Sequence, residues 1–480
     1  MSDISQGLYC IVVVAPVGWP YYLSRRGRSM ETRGARGYGD GILYKVDDRP
    51  PLNLSVVLAI QHIMAAFGGI VAVPLIVGGA LKLPVHDLGF LVSAALLAAG
   101  IATYIQAKGI GPVGAKLPCV MGTDFTFVGP SIAVGAQMGL PGIFGATIAG
   151  SFIEIALSRF IKPLRRFFPP VVTGTVVMLI GLTLLPVAID WAAGGYGAPD
   201  YGSVRNVSIA LSVMTVIMLL NRYAKGFLSS AAVIIGLIFG YLICIPFGML
   251  DMSPIAKAGW FEVPTIFKYG VKFSMGGFFA FFTAYLVTTV ETVGCLFAIG
   301  EASGKELDSE DISKGILADG VGSLIAGFVN AGPNTSFSQN VGLIPLSKVA
   351  SRYVVQVAGI ILILMGLFPK LGALVAIMPN PVLGGAGIIM FGMVMAAGIK
   401  TLKGVELNNR NMLILAISLG IGIGVTVRPD FISSMPRAVR SFFSSGISAG
   451  TVAALLLNVV LKDDAEGDLE EDLEVRPEEA

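Results

Sequence analysis

Several polar side chains stand where the surrounding sequence is apolar. Glu291 lies in Thr288-Thr289-Val290-Glu291-Thr292-Val293-Gly294, Asp319 in Ala318-Asp319-Gly320, and Gln61-His62 inside a long apolar run. A carboxylate at the centre of a bilayer costs roughly 2.5–3.5 kcal/mol on insertion scales, so Glu291 reads as a functional position. Its chemistry is to accept hydrogen bonds from ring N–H groups of a ligand; the plainer alternative is a structural bond to a neighbouring helix. Asp319 either titrates during a working cycle or ties helices together. His62 either moves protons or packs as a satisfied core histidine. Gln339-Asn340 follows a Pro-containing stretch, and a primary amide offers donors and an acceptor that match the edge of a heterocycle. Asn340 alternatively satisfies nearby backbone. Asp124 and Phe125 hold the corresponding place in an earlier segment, where Phe125 either stacks on a planar ring or simply packs. Glu154 and Glu301 lie nearer helix ends and are expected to reach water.

The elements that carry these residues follow from composition. The chain has 480 residues, 54% of them apolar and only 13% charged. Soluble chains carry about 25% charged residues, and bilayer-spanning helices, at about 20 apolar residues each, explain the deficit. The chain is therefore expected to be an all-α polytopic membrane protein. Its 61 glycines, nearly twice the usual share, suit close helix packing in lipid. A net charge of +2 gives no basic field for nucleic acid. Cys10, Cys119, Cys244 and Cys295 are scattered and there are two histidines, so neither a metal site nor a disulfide framework is expected.

About 14 apolar segments are predicted, at 54–80, 88–106, 122–137, 141–161, 171–189, 207–221, 228–249, 273–300, 312–329, 335–347, 353–377, 382–399, 411–427 and 442–461. Lys and Arg in the short loops set the orientation. With the N-terminus cytoplasmic, Lys108, Lys116, Lys162–Arg166, Arg222–Lys225, Lys348–Arg352 and Lys400–Arg410 fall inside. Asp190–Asp200 and Asp251–Lys272 fall outside; Arg428, Arg437 and Arg440 disagree with the majority. Both termini are thus expected in the cytoplasm, in an inner (plasma) membrane. The apolar run Ile11–Val17 precedes its basic residues, which is not the order of a signal peptide. Met1 and Met30 both remain open as the start. The acidic stretch from Asp463 to Ala480 has the composition of a disordered tail.

The two short segments are third and tenth, third in each half. One begins at Leu117-Pro118 and runs through Asp124-Phe125; the other begins at Gly332-Pro333 and runs through Gln339-Asn340. Paired interrupted segments in matching places point to a transporter's binding site, and an odd number of helices per half makes the repeats inverted. A half-helix starting within the membrane leaves its first N–H groups free for a ligand. Such irregular backbone has to be covered by protein or line a cavity.

These residues resemble the nucleobase–ascorbate transporters, also called xanthine/uracil permeases. The family signature has Gln, Glu or Pro, Asn-x-Gly, four variable residues, Thr, then Lys, Arg or Gly. It reads Gln339-Asn340-Val341-Gly342, Leu343 to Leu346, Ser347-Lys348 here, with Ser347 the single departure. Gln61-His62, Glu291 to Gly294, Ala318 to Gly320 and Pro379 to Gly385 also match, and the likeness runs from about 47 to 461. The resemblance implies two inverted seven-helix repeats, core and gate domains, and short strands before helices 3 and 10. The implied division is a cytoplasmic tail 1–50, core 51–165, gate 166–262, core 263–378, gate 379–462 and tail 463–480. It also implies base binding by Glu291 and Gln339, a backbone contribution from Ser338, and a pocket lined by Asp124 and Phe125. Asp319, His62, Gln61 and Asn340 form the implied coupling network, with a proton as the coupling cation and a homodimer through the gate.

Cys295 stands where many purine members have Asp, which leaves proton or sodium coupling open. Gln339 resembles the xanthine/urate branch, whereas uracil permeases tend to carry Glu. The leading expectation is a proton-coupled importer of xanthine or urate. A uracil permease is the alternative, and an anion transporter of the same plan is disfavoured because carboxylates repel an anion. No nucleophile–base arrangement or phosphate loop points to an enzyme.

Overall fold

The computed structural model describes residues 42–160, 169–435, 443 and 445–461. Ile11–Val17, Lys162–Arg166, Arg437, Arg440, the start of the fourteenth segment and the acidic tail lie outside the described residues.

The first half comprises α1 (Leu52–Ala80), α2 (Val85–Lys108), β1 (Met121–Thr123), a 3₁₀ turn at Phe125–Phe127, and α3 (Val128–Leu157). It continues with α4 (Pro170–Ala192), α5 (Val204–Tyr223) and α6 (Ala232–Cys244). The second half comprises α7 (Met275–Ser303), α8 (Ser309–Phe328), β2 (Asn334–Ser336), a 3₁₀ turn at Ser338–Gly342, and α9 (Leu343–Ser347). It ends with α10 (Arg352–Gly366), α11 (Pro369–Ala376), α12 (Asn380–Leu402), α13 (Asn409–Val427) and α14 (Gly446–Val460). Short helical turns at Phe227–Ser230 and Ser253–Lys257 sit between these. Among the described residues, eight helices are long and apolar enough to cross a membrane, or up to nine if α10 and α11 count as one bent span.

Proline and glycine set many of the ends. Prolines 51, 84, 169 and 379 precede helix starts, where fixed φ and a missing N–H cost nothing. Gly109, with φ of 72°, ends α2. One boundary agrees with the sequence expectation and one differs. The third and fourth segments are two helical arms of α3 that part at Gly139, whose φ of 68° lies just before Pro141. The chain folds back there, so that a Cβ on Gly142 would lie 3.2 Å from the Val134 side chain. The eleventh segment is two helices, α10 and α11, meeting at 79°, because Pro369 begins a new helix.

Packing follows the same pairs in both halves. α2 lies against α10 and α11, α3 lies against α8, and α4 runs along α12. α4, α5, α6, α12, α13 and α14 pack with one another, while the remaining long helices surround the strand pair. The α4–α12 contact is close enough that a Cβ on Gly181 would lie 2.5 Å from the Met395 nitrogen and 2.7 Å from the Phe391 carbonyl oxygen. Backbone cannot yield as a side-chain tip does. Gly181→Ala is therefore expected to cost about 1–3 kcal/mol of stability through overpacking. Gly424→Ala, with open space around its added methyl, should leave stability level or raise it slightly. Thermal melting of both purified variants in one detergent checks the pair; equal midpoints would remove the close approach at Gly181.

Candidate functional site

The two broken segments meet at a small antiparallel ladder. Met121 pairs with Ser336, Gly122 with Thr335 and Thr123 with Asn334. The ladder extends symmetrically, since Asp124 N donates to Pro333 O at 3.0 Å and Phe337 N to Val120 O at 2.9 Å. Each strand thus satisfies the other's backbone where neither is helical. A Cβ on Gly122 would lie 2.6 Å from the Phe337 ring and 2.7 Å from Ile70, so glycine lets the ladder press against α1. Thr123 Oγ1 donates to Ile70 O at 2.8 Å and holds it there.

A 3₁₀ turn leaves each strand, and both turns pack on α7, the helix carrying Glu291. Asp124 starts the first turn: its Oδ1 accepts from Thr126 N at 2.8 Å. Phe125 is half-buried and meets Phe391 of α12 edge-on at 5.5 Å. The second turn begins with Ser338 and Gln339, whose side chains are exposed, and then Asn340, which is buried. Asn340 Nδ2 donates to His62 O at 2.9 Å and lies 3.2 Å from His62 Nδ1, which accepts when the ring proton is on Nε2. This ties the turn to α1. Gln61, next to His62, points elsewhere: its Nε2 donates to Ser230 Oγ at 3.0 Å, ahead of α6.

Asp319 is 0% exposed and lies under the ladder. Ser336 Oγ donates to it at 3.2 Å, Gln106 Nε2 at 3.4 Å, and Thr292 Oγ1 through a short bond. One carboxylate therefore joins β2, α2 and α7 to α8. Glu291 differs. It is half-buried, has no hydrogen-bond partner among the described residues, and has Asp124 and Asp319 as its charged neighbours. The structure thus gathers Glu291, Asp124 and the Ser338–Asn340 turn around α7, places His62 behind Asn340, and directs Gln61 towards α6.

Two expectations about acids separate. Glu301 is exposed, as expected. Glu154 is 0% exposed rather than in contact with water, because the last turns of α3 are covered by α7 and α8. A signal for this was present in the sequence: Gly150, Ser151, Glu154 and Ser158 share one helical face of small residues.

Residues 54–431 match the profile of a family described as a permease family. A Clostridium perfringens protein assigned as a purine permease is 54% identical over 434 residues, covering 90% of this chain and 96% of that one. The uric acid transporter UacT of Escherichia coli is 43% identical over 410 residues, covering 84% and 85%. The xanthine permease of Bacillus subtilis is 40% identical over 405 residues, covering 84% and 92%. Among solved structures, the transmembrane domain of the cyanobacterial bicarbonate transporter BicA superposes with a TM-score of 0.58 at 18% identity, covering 83% of this chain and all of that one. That likeness concerns the fold alone. The ordered motifs, the paired broken segments and the match over most of its length make this chain a member of the nucleobase–ascorbate transporter family.

Proposed function

We propose that the protein is a secondary active transporter that imports a purine nucleobase, xanthine or urate, together with a proton. The observation that carries this reading is Glu291, without a hydrogen-bond partner among the described residues, on α7, the helix against which both turns pack. A flat heterocycle fits such a site. Glu291 accepts from its ring N–H groups, the Gln339 amide pairs with an N–H and C=O edge, and the Ser338 backbone adds a further contact. Phe125 and Asp124 line the opposite side. The names of the relatives, uric acid and xanthine permeases, favour an oxidised purine over uracil. A compact anion would instead face the carboxylates of Glu291 and Asp124, which repel it.

In this reading the helices around the strand pair are the core of two inverted seven-helix repeats, and α4–α6 with α12–α14 are the gate. The matching pairs α2–α10 and α3–α8 support the repeat, since an inverted duplication generates both from one contact. Rocking of core against gate would expose Glu291 to each side in turn. For the N-terminal side to be cytoplasmic, basic residues have to gather there. Arg49, Lys108, Lys116 and Arg352 surround one surface cavity of about 300 Å³, and the chain before α1 runs alongside: Leu43 N donates to Lys348 O at 2.8 Å. Asp124, Glu154, Glu291 and Asp319 have no ion-pair partner among the described residues. Uncompensated acids inside a bilayer favour a cation as the coupled species, and His62 with Asn340 borders the same turn.

Radiolabelled xanthine and urate uptake into proteoliposomes tests the site. A lost hydrogen bond to a charged group is worth about 1.5–3 kcal/mol, so Glu291→Gln should lower uptake about 10- to 100-fold. Gln339→Ala should raise the half-saturation concentration about tenfold. Undiminished uptake by Glu291→Gln would remove Glu291 from the base site. A protonophore should abolish accumulation and spare exchange of internal for external base; accumulation that survives it would point to another ion.

A further inference from the structure

Glu154 is a buried acid that the base site does not use. α3 and α8 cross tightly beside it: a Cβ on Gly320 would lie 3.0 Å from Ile155 N and 3.3 Å from Ser151 O. Asp319 precedes Gly320, and Glu154 precedes Ile155, so the crossing sets the two carboxyl groups near each other. Both are 0% exposed. Asp319 receives donors from Ser336, Gln106 and Thr292, which suits an ionised carboxylate. Glu154 receives far less. Its Oε2 has no partner, and its Oε1 lies 3.5 Å from Thr289 Oγ1. That hydroxyl has one hydrogen, and the carbonyl oxygen of Tyr285, 2.7 Å away, takes it. Thr289 Oγ1 is then free to accept rather than donate. An ionised Glu154 would be buried beside another acid with scarcely a donor, whereas a protonated one donates to Thr289.

We propose that Glu154 carries the transported proton, facing Asp319 as a fixed negative charge. This rests on the proton-coupled reading above. The titratable groups that face Glu154 are Asp319 from α8, Tyr285 from α7, and Asp124 ahead of α3. Glu154 lies one turn before the end of α3, the end assigned to the cytoplasm. A proton taken up from outside leaves Glu154 to cytoplasmic water when the core moves, and the carboxylate is reprotonated before the next cycle. Glu154 does not touch the base, so loading and coupling are separable.

The test uses the full chain in proteoliposomes with an imposed inward proton gradient and radiolabelled xanthine or urate. Glu154→Gln should bind the base within about threefold of the native protein and retain equilibrium counterflow, yet lose at least about tenfold in gradient-driven accumulation. Its uptake should also lose its dependence on pH. Native accumulation with the native pH profile in Glu154→Gln would overturn the proposal. So would a parallel loss of binding and counterflow in a folded variant, which marks a structural role. Thr289→Val provides a second variant should Glu154→Gln not fold. It deletes the acceptor for the Glu154 proton, so the pH midpoint of uptake should move to more acid values; an unmoved midpoint overturns the proposal. If the native protein accumulates no base under a proton gradient, the transport reading itself has failed, a result distinct from any behaviour of the variants.

Discussion

Backbone that leaves the helix inside an apolar slab has to find its hydrogen-bond partners within the protein, because lipid supplies none. The β1–β2 ladder meets that demand, and the rest of the site follows from it. Two chain breaks from opposite halves satisfy each other, and the turns that follow are fixed in direction by their strands. Thr123 binds the ladder to α1 and Asp319 binds it to α2, α7 and α8. The position of Glu291 relative to Gln339 is therefore set by a small sheet clamped on several sides. The long helices supply the walls that keep the ladder dry.

Much of this arrangement was legible in the sequence, for a physical reason. Buried charge is expensive in lipid, so Glu291 and Asp319 stand out against their surroundings, and paired Pro-Gly breaks are rare enough to identify the two turns. Depth was harder to read. Glu154 lies three residues from Leu157, where α3 ends, and by distance along the chain alone it reads as near water. Burial at a helix end depends on neighbouring helices, which no local pattern reveals. The same limit explains one helix boundary. The break at Gly139 is legible from a glycine with a proline two residues on, whereas Pro369 turns what reads as a single apolar run through 79°.

The contacts between the two groups of helices are of a different kind from those within them. Inside the groups, glycine stripes bring backbones together, as at Gly181 and Gly320. Between them, contacts run mainly through side chains of one shared apolar cluster, with Phe125 on Phe391, Gln61 on Ser230, and Thr283 on Ser448 among them. Backbone-to-backbone packing has one arrangement, since no rotamer change relieves it. Side-chain contacts can be relieved by a change of rotamer, and they make up the seam where Phe125 stands.

Hydrogen-bond saturation then separates polar residues that hold the site from those left to act. The amide nitrogens of Asn340 and Gln61, and both oxygens of Asp319, are occupied by protein partners. Glu291 has none among the described residues, and Ser338 and Gln339, in the turn that packs on the same helix, are exposed. A polar group in an apolar slab that the protein leaves unsatisfied gains most when a ligand arrives, because the alternative is an unmet bond. Glu154 follows the same rule with a smaller partner. It is too deeply enclosed for a base, and the species that reaches an enclosed carboxyl and leaves it again is a proton.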